Sequence, residues 1–293
     1  MENESPVIGS EQVGEAEVSY ASDDPVVSAI ARFISNDNVS TIARFVSYDI
    51  ERAAGPDDSE MIELGFATTE SSASVCIIPK GIIDSYASKM SHQLSYNYNM
   101  KKLVRGRYIM DDVTLEEAAK KFIDFLRETK EKTGMSPILL CHGKDHITLL
   151  NNLAAVGMDD ALLEVIGGAM NFLNIICDDP EFENKSKSLT KLKDEKNLSE
   201  IILGDKISRQ EIVEQGHDAH FDAGLLMKVF EAYLNPPWSC SLEFLMENYL
   251  IQPDALKRVA ITSIKNMQLK RMRILKPRKS FLLFNGWDEQ DCV

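Results

Sequence analysis

Two short stretches carry side chains that could do chemistry. In HDAHFDA (217–223), His217 stands four intervening residues before Asp222, just ahead of an apolar run at helical spacing. In SYDIER (47–52), Asp49 and Glu51 are separated by one residue. On a strand, residues two apart point to one face. Two carboxylates held there by an otherwise apolar strand repel unless a cation lies between them, and hard oxygen ligands suit Mg²⁺ or Mn²⁺. The alternative is a solvated strand end running into an Arg-Ala-Ala-Gly-Pro turn. Asp222 falls in the first turn of the helix expected at 221–234, where free N–H groups favour a carboxylate. From the less regular segment before it, His217 could reach the same site and take a proton from water. The competing reading has Asp218 capping the helix, with His217 and His220 on the surface.

Periodicity supplies elements to position these groups. Residues 42–50 read as a strand, 55–60 as a turn, and 60–70 and 72–79 as two further strands of an antiparallel meander. The polar segment 80–112 has four tyrosines and no clear period. Within it Tyr96, Asn97, Tyr98 and Asn99 either touch bases or form a polar surface strand or loop. Residues 113–134 form the clearest helix, with Thr114 and Glu117 spaced for a capping box and Gly134 after a basic last turn. A buried strand at 135–143, a helix at 146–157 and a short helix beginning at Asp159 follow. NFLNIICDD (171–179) reads as another buried strand and SLTKLKDEKN (188–197) as a small helix. Asn235-Pro236-Pro237 ends helix 221–234. The chain divides into a disordered acidic tail (1–24), a main domain (25–236, opening with a short helix at 24–34) and a small basic helical region (237–293). The last of these holds two helices and an extended piece at 280–284.

The order Asp-x-Glu on a first strand, ELG (63–65) on the second, a central strand ending at His142, and His-x4-Asp entering a helix resembles the DEDDh 3′–5′ exonucleases. The match spans about 42–234. It implies an α/β chain with a ribonuclease H-like mixed β-sheet flanked by helices, here with a small C-terminal helical appendage. It also implies catalytic roles for Asp49, Glu51, His217 and Asp222. Asp49, Glu51 and Asp222 would hold Mg²⁺ or Mn²⁺, and His217 would act as general base. The product would be nucleotide 5′-monophosphates released from the 3′ end of single-stranded RNA or DNA.

The second motif departs from the pattern, since counting forward from His142 places Ile147 where a metal-binding aspartate belongs. Asp145, two residues earlier, could supply the missing oxygen if 143–146 is a loop, but two residues of helix turn a side chain by roughly 200°. The divergence, and the separate C-terminal piece, are similar to the exonuclease-like domains of Exuperantia and of the exon-9 region of PML. Two readings stay open: a weak metal-dependent exonuclease, or an inactive exonuclease-fold scaffold without cofactor that binds RNA or protein partners.

The 293 residues are 44% hydrophobic, enough to bury a sizeable core, and carry a formal net charge of −14. That charge disfavours a generic nucleic-acid binder, so the basic run from Lys257 to Lys279, without Asp or Glu, stands out. Lys265, Lys270, Arg271, Arg273, Lys276, Arg278 and Lys279 either contact nucleic acid or form a solvated helix docking on the acidic domain. Phe281–Phe284 would pin the tail to the core or touch another protein or a second copy. Five scattered cysteines without a CxxC pair argue against a disulfide scaffold or zinc knot, and Cys76, Cys141 and Cys177 read as core thiols. No run approaches a membrane span, and the chain reads as intracellular.

Overall fold

In the computed structural model, β1 (Phe45–Arg52) is central because both its faces are buried along most of its length. It pairs antiparallel with β2 (Met61–Ala67), which pairs antiparallel with β3 (Ser72–Ile77). On its other edge β1 pairs in parallel with β8 (Ile138–Cys141), and β8 with β9 (Gly168–Asn171). With the short β7 (Asp112–Val113) at the far edge, the order is β7-β3-β2-β1-β8-β9. A meander of three strands joined by parallel crossovers to two more is the ribonuclease H-like arrangement, so the expected fold class is the one observed. The structure describes residues 42–53, 60–83, 94–191 and 196–258, with positions 85 and 88. The acidic tail, the helix at 24–34, the extended piece at 280–284 and the basic run beyond Arg258, including Lys265 to Lys279, lie outside these residues.

Helices cover both faces of the sheet. Under one face lie α1 (Leu115–Thr133), α2 (Asp145–Ala154) and α3 (Asp159–Val165), packed on Val46, Tyr48 and Ile50. There Phe122 meets Tyr48 at 6.2 Å and Phe66 at 5.3 Å between ring centroids. α1 begins at the expected capping box, with Thr114 and Glu117 each bonding the other's backbone. On the opposite face lies α7 (Ala219–Leu234), whose Phe230 stacks on Phe45 at 5.0 Å. It is joined there by α4 (Phe172–Asp178), α5 (Leu198–Leu203), α6 (Arg209–Gln215) and α8 (Leu242–Tyr249). After α8, Ile251 exchanges backbone hydrogen bonds with Ala169 of β9, and Leu256 is buried in the α1-side core. Among the described residues, no helix is long and apolar enough to cross a membrane.

Three local expectations are corrected. NFLNIICDD is not one strand: β9 ends at Asn171, whose side chain caps α4 by accepting from Leu173 N–H. Because the segment is helical rather than extended, Cys177 falls on the outer side and is exposed, while Cys76 and Cys141 are buried. In SLTKLKDEKN, residues 188–191 are not helical, and Asn197 instead caps the following α5. The unassigned segment before α1 contains a second sheet of β4 (Leu94–Asn97), β5 (Lys102–Arg105) and β6 (Tyr108–Ile109).

Candidate metal centre

Alternation on β1 puts Ser47, Asp49 and Glu51 on the α7 side. Their cross-strand partners on β2 are Ala67, Gly65 and Glu63. α7 comes unusually close at this point. A Cβ on Gly65 would lie 1.9 Å from the carbonyl oxygen of Ala219, the first residue of α7. Only glycine admits the helix there. Ser47 Oγ then donates to Ala223 O at 2.7 Å, fastening the second turn of α7 to β1. The ELG motif is thus a docking surface for the helix that carries Asp222.

The helix N-terminus is built to hold its acid group. Asp218 caps α7 by accepting from Phe221 N–H. His217, just before it, has φ +66, a left-handed conformation uncommon outside glycine. That turn aims His217 N–H at Asp222 Oδ2, 3.0 Å away. The other oxygen, Asp222 Oδ1, is buried and has no hydrogen-bond partner among the described residues. Glu51, His217 and Asp222 each bring a ligand atom within 4.8 Å of the others.

Asp49 is not one of these three, but it belongs to the same electrostatic cluster. Burial, then the charges of Asp222, Asp145 and Glu51, push its carboxyl well above the usual range. Burial together with Asp222 and Glu63 raises Glu51 to about 8. Burial raises Asp222 to about 7, against the stabilising N–H of His217. Buried carboxylates that repel one another this strongly take up either protons or a cation. A buried carboxylate with one unpartnered oxygen among the described residues, beside a second carboxylate and an imidazole, supplies donors that a divalent ion accepts. The residues present fit such an ion.

The corner after β8 holds the two residues at the departure from the motif. Asp145 is the first residue of α2, only 5% exposed, and its charge is felt at both Asp49 and Glu51. Ile147, two residues on, lies half-buried on another side of the helix. α2 starts at Asp145, whose charge reaches Asp49 and Glu51, while Ile147 two residues on offers no ligand oxygen. Arg52 Nη2 donates to Asp145 Oδ1 at 2.9 Å, following a register shift between Glu51 and Arg52. His142 serves the fold. Its Nε2 donates to Lys187 O at 2.8 Å, and burial holds its pKa down at about 4.

The far wall of the cluster comes from the second sheet. Arg105 of β5 pairs with buried Glu63 at 2.6 Å and also with Asp218, tying β2 to the cap of α7. Burial raises the Glu63 carboxyl and Arg105 opposes that shift. Sequence reasoning singled out none of Arg52, Arg105 and Ser47. The one available signal was Ser47 sharing the period-2 face of Asp49 and Glu51. The arginines act across long sequence separations that no local pattern marks. Of the basic run, only Lys257 and Arg258 lie among the described residues, and Lys257 pairs with Asp160.

No protein-family profile and no curated protein sequence matches the chain. Solved structures similar to it include a 3′-exonuclease described as recognising the 3′ end of a histone mRNA stem-loop. That structure is 15% identical with a TM-score of 0.45, over 71% of this chain and 72% of the other. A full-length 3′-exonuclease structure is 16% identical with a TM-score of 0.43, over 65% of this chain and 80% of the other.

Proposed function

We propose that the protein is a divalent-metal-dependent 3′–5′ exonuclease acting on single-stranded nucleic acid. The observation that carries this reading is Asp222, which brings a carboxylate oxygen within 4.8 Å of Glu51 and His217 and whose Oδ1 is buried without a hydrogen-bond partner among the described residues. Asp49, Glu51 and Asp222, with Asp145 behind them, would hold Mg²⁺ or Mn²⁺. When bound, the ion would offset the charge of the scissile phosphate and of the departing oxygen. His217 would take a proton from water as its oxygen bonds to phosphorus. The bond from phosphorus to the 3′ oxygen would then break, that oxygen taking a proton from solvent to become the new 3′ hydroxyl of the shortened strand, and the released nucleotide would keep a 5′-phosphate. Glu63 and Arg105 would keep α7 and β2 in register around the reacting atoms.

A second reading rests on the Arg52–Asp145 ion pair. The guanidinium already neutralises the acid nearest the displaced motif, as it would in a scaffold that binds RNA or protein without turnover. One experiment separates the two. Purified protein is titrated with Mn²⁺ and Mg²⁺ and incubated with 5′-labelled single-stranded RNA and DNA, beside Asp49→Asn and His217→Ala. The enzyme reading expects stepwise 3′ shortening that is lost in Asp49→Asn and slowed about 10²–10⁴-fold in His217→Ala. Silence of the parent with either ion selects the scaffold. Shortening undiminished in Asp49→Asn would sink the enzyme reading.

A further inference from the structure

The second sheet bears a surface whose chemistry contrasts with the acidic balance of the chain. Residues 94–110 contain Lys101, Lys102, Arg105 and Arg107 but no Asp or Glu, in a chain of net charge −14. The same stretch concentrates exposed apolar area. Of seven large apolar side chains exposed among the described residues, four are here: Tyr98, Met100, Tyr108 and Ile109. Tyr108 is 78% exposed and Tyr98 61%. Aromatic rings interleaved with cations are what stacks bases and meets phosphates on a single strand.

The sheet is rigidly mounted. Leu94 and Leu103 are fully buried with Ala53, Ile62 and Cys76 of the main domain. Asp112 of β7 accepts from Lys102 Nζ at 2.6 Å and from Leu103 N–H at 2.7 Å. Tyr96 backs Tyr98 edge-on at 5.0 Å, so the exposed ring is supported before anything binds. Position links the sheet to the acids. Tyr108 is the cross-strand partner of Arg105 and shares its face, and Arg105 contacts Glu63 and Asp218. Lys102 and Arg105 have ion-pair partners, whereas Lys101 and Arg107 have none among the described residues.

We infer that β4–β6 is the platform for the single strand whose 3′ end enters the acidic cluster, with Tyr108 stacking on a base and Lys101 and Arg107 meeting phosphates. This rests on the exonuclease reading for where the strand leads, but not for whether it binds.

The test measures binding of fluorescent oligouridine and oligothymidine to the full chain by anisotropy, in EDTA so that no turnover occurs. The parent binds at low salt. Tyr108→Ala weakens binding roughly tenfold, the scale of one lost base stack, and Tyr108→Trp restores it. The double variant Lys101→Glu/Arg107→Glu weakens binding and flattens the dependence of log K on log salt by about 1.4, for two phosphates at ~0.7 each. Circular dichroism checks that the exposed substitutions leave the fold intact. A parent that does not bind, or variants that bind as the parent does, would overturn the platform and assign the exposed rings to protein contact. Shortening assays run in parallel keep the readings apart. Variants that lose binding while the parent shows no turnover uphold the platform and remove the nuclease. Unchanged binding with turnover lost only in Asp49→Asn does the reverse.

Discussion

At Gly65 a hydrogen atom decides whether the candidate site exists. Any side chain there would occupy the position of the Ala219 carbonyl, 1.9 Å from its Cβ. The backbone must then shift rather than a rotamer. Gly65→Ala should destabilise the protein by about 1–3 kcal/mol, the usual scale of overpacking. It should also move Asp222 away from Glu51. Thermal unfolding with and without Mn²⁺ checks both effects: the variant should melt lower and lose the upward shift caused by the ion. A variant that melts like the parent would mean that α7 is free to stand off from β2. Asp222 makes a related point at its two oxygens. Oδ2 is held by His217 N–H and Oδ1 has no donor among the described residues, so Asp222→Ala should relieve repulsion at Asp49 while abolishing ion-induced stabilisation. That combination, little stability lost and all ion response lost, is unlike the result of a purely structural role.

Among the elements, α7 and β5 meet across the cap of α7 through one guanidinium. Arg105 serves Glu63, which is 1% exposed, and Asp218, which caps the helix. Removing it leaves buried Glu63 without its counter-charge, so Arg105→Met should cost about 3–5 kcal/mol, the scale for breaking a buried pair. Adding Glu63→Gln should recover much of that, because the unpaired charge is then gone. Denaturant unfolding of the two single variants and the double variant reads the coupling directly. A strictly additive double variant would show that Arg105 works by packing alone. Ser47→Ala is the milder control. It removes the hydroxyl bonded to Ala223 O at 2.7 Å and should cost about 0.5–1.5 kcal/mol.

For the whole molecule, the clustered acids make stability depend on pH and on cations together. Folding raises Asp222 to about 7 and Glu51 to about 8 from ordinary carboxylate values near 4. Between the unfolded and folded values the native state holds more protons, so stability falls as pH rises. The contribution is complete below the unfolded values and is lost as pH climbs through about 7 for Asp222 and about 8 for Glu51. The metal-free protein should therefore melt lower at pH 8 than at pH 5.5. A bound divalent ion replaces the missing protons, so the gain in Tm on adding Mn²⁺ should be larger at pH 8. A Tm that rises steadily over this range without metal, or an ion effect independent of pH, would show that these groups do not share one site.

Local patterns in the sequence carried the elements and the acid pairs. The period-2 alternation of β1 placed Asp49 beside Glu51 on one face, and Thr114 with Glu117 announced the start of α1. These properties depend on residues a few positions apart, which is the range over which backbone geometry correlates side chains. NFLNIICDD misled because a short apolar run satisfies strand and helix alike, and only burial against α7 and α8 made Phe172–Asp178 helical. The second motif was illegible for another reason. Which side of α2 faces the acids depends on where the helix starts, and that is set by the corner after β8 rather than by counting from His142. The partners of the cluster were beyond local reach altogether. Arg52 meets Asp145 across 93 residues and Arg105 meets Asp218 across 113, so each pair exists only once the sheet has assembled. The sequence by itself determined which groups could carry charge and on which face of a strand they lie. Tertiary structure alone decided which of them are close and buried enough to repel, because desolvation and Coulomb repulsion act through space and not along the chain.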